Sequence, residues 1–328
     1  MADSRPRVLV TESEYKKAEG CFLSAPGLEC RRAPDDEADL ASALREARAV
    51  YVVVGPRPYS GALYEALPPG GVIARFGVGH ENIDKSRATA AGLFCTNTPG
   101  VLNQSVAEHT MLLVAAAARP LLSMSASMTR HVWDPTPGAE LQGQTLAIVG
   151  CGGIGRSVAH IAALGYGMHV VGCSKPDVAP PVALEHFAAI TNDFATAVRQ
   201  ADFVSLHLTA SRENVHFINR DRLAHLGERT WLINTSRGSI VDERALFEAL
   251  TGRRVAGAAL DVFEREPYAP AEGSGDLRSL PNVILTPHVG SNTAAANRRM
   301  AERALRNIAL AEARGFAQMD LLNPEVLR

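Results

Sequence analysis

The 328-residue chain is short of several features that would point to other classes of protein. Its cysteines are few: Cys21, Cys30, Cys95, Cys151 and Cys173 are odd in number and scattered, with no C-x-x-C pair. That pattern argues against a disulfide framework or a zinc site and fits a reducing, cytoplasmic setting. Neither sign of charge is in excess, because 33 Lys and Arg against 35 Asp and Glu leave a formal net charge of −2. No basic concentration reads as a nucleic-acid footprint. Long apolar runs are missing too. The longest, Met111 to Ala118, is far too short to span a bilayer, and Met1 to Val10 hold no apolar stretch ahead of a cleavage site, so neither a membrane protein nor a secretory signal is expected. What remains is 46% apolar and 21% charged, the balance of an ordinary globular protein. The length exceeds what one core usually serves, so two domains and work on a small molecule are expected.

Short apolar strands alternate with helical stretches before residue 100: Val8 to Val10, Tyr51 to Val54, Val72 to Ala74 and Leu93 to Cys95. Continuous apolar runs of this kind suit strands buried on both faces, hence a parallel sheet covered by helices. Asn97-Thr98-Pro99-Gly100 breaks the pattern, and Ser105-Val106-Ala107-Glu108 has capping-box spacing, which predicts a helix from there to about Ala118, before Pro120. A second alternation begins at Thr145 and continues through 169–171, 203–208, 231–234, 255–261 and 283–286. A long helix over about 293–314 has no strand after it and is expected to cross back to the first domain. The expected division is therefore 1–102 with 293–328, and 103–292, with an active site favoured at the crevice that two such units make.

The most informative stretch is Thr145-Leu146-Ala147-Ile148-Val149-Gly150-Cys151-Gly152-Gly153-Ile154-Gly155. An apolar strand runs into a turn with glycines at G-x-G-x-x-G spacing. The first glycine permits the turn, the second lets backbone approach a phosphate, and the third lets the following helix pack close and aim its amides at the anion. Cys151, inside the turn, reads as a small filler. Three ionisable residues then follow the carboxyl ends of successive predicted strands: Arg237, Glu266 and His288. In open α/β sheets that edge is where ligands bind. A guanidinium grips a carboxylate, a histidine exchanges a proton near neutrality, and an acid beside it orients and charges it, a set that suits carbonyl reduction. Glu264 is a rival for the acid. His80, His109, His160, His169 and His207 have no metal-ligand spacing and read as packing or capping residues, His207 at the side of a cofactor cleft; no metal is expected.

These residues and motifs resemble the D-isomer-specific 2-hydroxyacid dehydrogenases. The likeness runs from about Gly77 to Asn292 and is carried by Gly77-Val78-Gly79-His80-Glu81-Asn82-Ile83-Asp84, Thr96-Asn97-Thr98-Pro99-Gly100, the glycine turn, Asn234-Thr235-Ser236-Arg237-Gly238, Leu260-Asp261-Val262-Phe263-Glu264-Arg265-Glu266-Pro267 and Thr286-Pro287-His288-Val289-Gly290. The resemblance implies an α/β fold of two doubly wound parallel-sheet domains, a Rossmann dinucleotide-binding domain and a flavodoxin-like substrate domain. It implies that Arg237 anchors a 2-oxo acid, that His288 protonates the carbonyl oxygen and that Glu266 orients His288. Val78 and Gly79 complete the grip on substrate through their amides. Gly150, Gly152, Gly153, Ile154, Gly155, Ser174, Lys175, Thr209, Thr235, Ser236, Asp261 and His288 are the expected cofactor contacts, with Asp261 on the nicotinamide carboxamide. A two-fold dimer is also implied, with the run Met111-Leu112-Leu113-Val114 either at its interface or in the chain's own core.

The cofactor is expected to be NADP, with NAD as the alternative. Ser174-Lys175 stand where an NAD-binding chain carries an acid for the ribose hydroxyls, and they suit a 2′-phosphate instead. Glyoxylate or hydroxypyruvate reduction is the first expectation for substrate. A phosphorylated 2-hydroxy acid is the second, with Arg57 and Arg75 able to take a second anion or to be plain surface residues. A cofactor-sensing corepressor-like scaffold is the alternative of another class.

Overall fold

A computed structural model describes residues 5–175, 185–270 and 273–328. The chain forms two compact units, one of residues 1–102 with 292–328 and the other of 103–291.

The first unit holds β1 (Arg7–Thr11), β2 (Glu29–Ala33), β3 (Tyr51–Val54), β4 (Val72–Arg75) and β5 (Phe94–Thr96). They pair in parallel in the order β2-β1-β3-β4-β5, the flavodoxin-like order. All four residues of β3 are buried, as expected for a strand covered on both faces. β2 was not visible as an apolar run. Its sequence is Glu-Cys-Arg-Arg-Ala, and it pairs only with β1, so one edge and much of its surface stay open. The helix Ala294–Glu312 belongs to this unit and is capped by Thr293, whose hydroxyl accepts from the Ala296 amide at 3.1 Å.

The second unit holds β6 (Thr145–Val149), β7 (His169–Cys173), β8 (Ala189–Thr191), β9 (Phe203–Leu206), β10 (Trp231–Asn234), β11 (Gly257–Leu260) and β12 (Val283–Leu285). The order is β12-β11-β10-β9-β6-β7-β8, all parallel. Strand order reverses at β6, so the loop after β6 leaves the sheet at its topological switch point, where ligands bind in such folds. β10, β11 and β12 lie side by side, with Asn234 opposite Leu260 and Leu260 opposite Leu285.

The helix Asn103–Ala118 corrects one expectation. It starts at Asn103, two residues before the capping-box serine. Ser105 is already inside it, buried, and its hydroxyl donates to the Gly290 carbonyl at 3.0 Å. The run 111–114 is mostly core: Met111, Leu113 and Val114 are buried against the sheet, and Leu112 alone points outward. Further exposed apolar side chains follow it, at Leu121, Leu122, Met128, Val132 and Trp133. No single helix among the described residues is long and apolar enough to cross a membrane.

Candidate active site

The glycine turn has the shape its spacing predicts. Gly150 has φ +100°, and a Cβ there would lie 2.5 Å from the His207 carbonyl oxygen, so only glycine makes this turn. A Cβ on Gly155 would lie 2.2 Å from the Gly150 carbonyl oxygen, the close approach that seats the helix Gly153–His160 against its strand. At Gly152 a Cβ would meet nothing within 4 Å. Backbone amides at such a helix start, reached over a glycine with no side chain, fit a pyrophosphate. Cys151 is buried, and burial pushes its thiol up to about 11, which makes it the inert filler expected.

The three ionisable residues stand past β10, β11 and β12. After β10, Asn234 builds the turn: its Oδ1 accepts from the Ser236 amide at 3.0 Å and from the Ser236 hydroxyl at 2.8 Å, while its Nδ2 donates to the Arg237 carbonyl at 2.9 Å. Arg237 Nη1 donates to the Ser236 carbonyl at 2.6 Å. The Thr235 hydroxyl is paired with that of Thr110 at 2.8 Å. After β11, Glu266 turns back so that Oε1 accepts from the Phe263 amide at 3.1 Å. After β12, His288 Nδ1 lies 2.6 Å from Glu266 Oε2. Glu264 is not at this histidine; it accepts from the Glu243 amide at 3.0 Å and lies 3.0 Å from His216.

The Glu266–His288 contact fixes the ring. Burial alone would raise the Glu266 pKa, but the hydrogen bond and charge of His288, the Phe263 amide and the charge of Arg237 outweigh it and hold the carboxyl below its usual range. An ionised carboxylate only accepts, so His288 Nδ1 carries the hydrogen and Nε2 is the outward nitrogen. The two side chains are 37% and 40% exposed, so a small molecule can reach the pair. His207 is the opposite case. Burial pushes it down to about 3, its Nε2 is 2.8 Å from Ser205 Oγ, and its buried Nδ1 has no partner among the described residues, so it is neutral at working pH.

His288 itself is in the left-handed region at φ +54°, a conformation that costs a non-glycine residue about 1 kcal/mol or more. Asp261, the residue just past β11, over-determines it. The Asp261 carbonyl accepts from the His288 amide at 2.8 Å. Its buried carboxylate accepts from the Thr286 hydroxyl at 2.6 Å, the Val289 amide at 2.9 Å and the Gly290 amide at 2.8 Å, with His109 Nε2 at 3.4 Å. Burial would raise this carboxyl, and the donors overcome burial and lower it. His109, read from sequence as a packing residue, also lies 3.1 Å from the Thr286 hydroxyl. It reaches the site from a distant helix, and no local spacing announces it.

The remaining expected contacts fall as follows. Ser174 and Lys175 follow β7, and Lys175 Nζ lies 3.2 Å from Glu213 with both side chains largely exposed. Thr209 follows β9, with its carbonyl taken by the Ser211 amide and Asn214 Nδ2. In the first unit the Val78 carbonyl accepts from Asn97 Nδ2 at 2.7 Å and the Gly77 carbonyl from the Thr98 amide at 3.1 Å. Among the described residues the Val78 and Gly79 amides donate to no protein acceptor.

A turn shaped for pyrophosphate and a carboxylate-bound histidine, both past the carboxyl ends of strands of one parallel sheet, fit a nicotinamide-dependent dehydrogenase. Residues 111–290 match the family model for the D-isomer specific 2-hydroxyacid dehydrogenase NAD binding domain. The glyoxylate reductase of Thermococcus litoralis is 39% identical over 274 residues, 81% of this chain and 80% of that one. The glyoxylate reductase of Aeropyrum pernix is 35% identical, covering 99% of this chain and 98% of its own length. Among solved structures, an NADPH-dependent glyoxylate/hydroxypyruvate reductase from Sinorhizobium meliloti in complex with NADP and malonate superposes with a TM-score of 0.80 at 28% identity, covering 98% of each chain. The chain belongs to the D-isomer-specific 2-hydroxyacid dehydrogenases, and it is an NAD(P)-dependent oxidoreductase.

Proposed function

We propose that this enzyme reduces glyoxylate and hydroxypyruvate to the corresponding 2-hydroxy acids, with NADPH preferred over NADH. The observation that carries the reading is the 2.6 Å contact between His288 Nδ1 and Glu266 at the ligand-binding edge of the nucleotide-binding sheet. Bound reduced nicotinamide supplies a hydride. Arg237 pairs with the substrate carboxylate and offsets charge that builds on the carbonyl oxygen. His288 Nε2 gives a proton to that oxygen, and the Glu266 carboxylate stabilises the ring while it holds two protons. The unused Val78 and Gly79 amides are suited to a carboxylate. Gly150, Gly152, Gly153, Ile154, Gly155, Thr209, Thr235 and Ser236 would hold the cofactor, and Asp261 would hold its carboxamide.

Support for NADPH comes from the end of β7, which is followed by Ser174 and Lys175 with no acid at the ribose position. The exposed Lys175–Glu213 pair contributes at most about 1 kcal/mol, so a 2′-phosphate readily takes the lysine from Glu213. Relatives named glyoxylate reductase or hydroxypyruvate reductase support the substrate class. The exposed Leu121, Leu122, Met128, Val132 and Trp133 support a homodimer joined through this stretch. The five free thiols suit the cytoplasm.

Steady-state reduction of glyoxylate, hydroxypyruvate and a phosphorylated 2-oxo acid with each reduced cofactor tests the reading. The first two with NADPH should give the highest kcat/KM, and Lys175→Ala should narrow the preference for NADPH. No turnover with any 2-oxo acid would refute the activity, and faster, tighter use of NADH would refute the cofactor assignment.

A further inference from the structure

The turn that presents Glu266 is held from behind by an acid to which the reaction gives no role. Glu243 is the first residue of the helix Glu243–Thr251, whose start is capped by Asp242 through the Ala245 amide at 2.9 Å. Its side chain folds back, 5% exposed, and Oε1 accepts from the Glu264 amide at 2.7 Å. In return the Glu243 amide donates to Glu264 Oε1 at 3.0 Å, and His216 Nε2 lies 3.0 Å from the same oxygen. Each acid therefore fixes the other's backbone. Within the turn, the Phe263 amide is fixed by Glu266 and the next amide, of Glu264, by Glu243. Gly238 closes the other side, since a Cβ there would lie 1.8 Å from the Phe263 carbonyl carbon.

This placement is a poor way to gain stability. Burial raises the Glu243 carboxyl, the Glu264 amide only partly offsets it, and the charges of Glu264 and Glu266 add to the rise. The two reciprocal hydrogen bonds do hold both backbones in one geometry. We infer that Glu243 is a positioning residue, which by closing the reciprocal pair with Glu264 fixes the turn that holds Glu266 on His288. The inference rests on the roles proposed above for His288 and Glu266.

The test compares Glu243→Ala with Glu243→Gln, whose amide oxygen still accepts from the Glu264 amide. The first readout needs no substrate: the low-field resonance of the His288 Nδ1 proton in 15N-labelled enzyme, assigned by its loss in His288→Gln. The second is kcat against KM, with Glu266→Gln as reference. Glu243→Ala should lose or broaden the resonance and lower kcat about tenfold or more, as expected for a reacting group moved by a fraction of an ångström, with the cofactor KM unchanged. Glu243→Gln should restore both. If Glu243→Ala does not fold, Glu264→Ala against Glu264→Gln breaks the same pair from its exposed side and must give the same pattern. A wild-type resonance and rate in the alanine variant would overturn the inference, as would a glutamine variant no better than alanine. If only Glu266→Gln loses rate, the inference fails while the proposed reaction stands. If the wild type turns over nothing, the reaction fails and the resonance alone decides the inference.

Discussion

Replacing Asp261 by Asn is a change of one atom that should disturb the loop bearing His288. Oδ1 takes the Thr286 hydroxyl and the Val289 amide and faces His109, so the asparagine oxygen must keep that side. Its NH2 group then faces the Gly290 amide, now 2.8 Å from Oδ2, donor against donor. A hydrogen bond to a charged group contributes about 1.5–3 kcal/mol, and a buried N–H left unpaired costs about 1–3 kcal/mol. Some of this is relieved by rearrangement, and the backbone bond from His288 to the Asp261 carbonyl survives. A net loss of about 2–4 kcal/mol follows, between one and three orders of magnitude in the equilibrium that keeps the loop closed. His288 sits in that loop in a left-handed conformation which needs over-determination, so kcat should fall by about tenfold or more. Urea denaturation followed by far-UV circular dichroism reads the stability, and initial rates at saturating cofactor read kcat. A D261N enzyme with a wild-type midpoint and kcat would refute the claim that this carboxylate shapes the site.

The same carboxylate sets part of the acid stability. Its folded pKa is lowered, so the stabilisation is complete above its unfolded value of about 3.9 and is lost as pH falls through the folded value; D261N should flatten stability against pH below about 4. Gly238→Ala places a methyl 1.8 Å from the Phe263 carbonyl carbon and forces the turns bearing Arg237 and Glu266 apart. It should cost about 1–3 kcal/mol and lower kcat/KM about 100-fold, both checked by denaturation and rates. Cys151, buried with its thiol raised to about 11, should resist iodoacetamide near neutrality until the protein unfolds, as read by mass spectrometry of native and denatured samples. His288→Ala should nearly abolish turnover while lowering cofactor affinity, measured by fluorescence titration, far less.

What was legible in the chain follows from what periodicity reports. β3, β6 and β9 announce themselves because a parallel strand covered on both faces must be apolar throughout, and each is buried along nearly its whole length. β2 and β8 did not, because an edge strand with one open side has no such requirement; residues 189–191 are mostly exposed. Capping-box spacing at Ser105 and Glu108 misplaced a helix start for a related reason. The rule assumes a local partner, whereas the Ser105 hydroxyl serves a carbonyl 185 positions away. The site divides along the same line. His288, Glu266 and Arg237 stood out because their chemistry has few substitutes and because each follows a strand end that the apolar pattern had already located. His109 and Glu243 did not, since histidine and glutamate in these settings ordinarily meet water. Their role exists only through contacts such as 3.1 Å from His109 to Thr286 and 2.7 Å from the Glu264 amide to Glu243. A residue that acts directly on substrate is constrained by its own chemistry and shows in one sequence, whereas a residue that acts through another is constrained by a distance that only the fold creates.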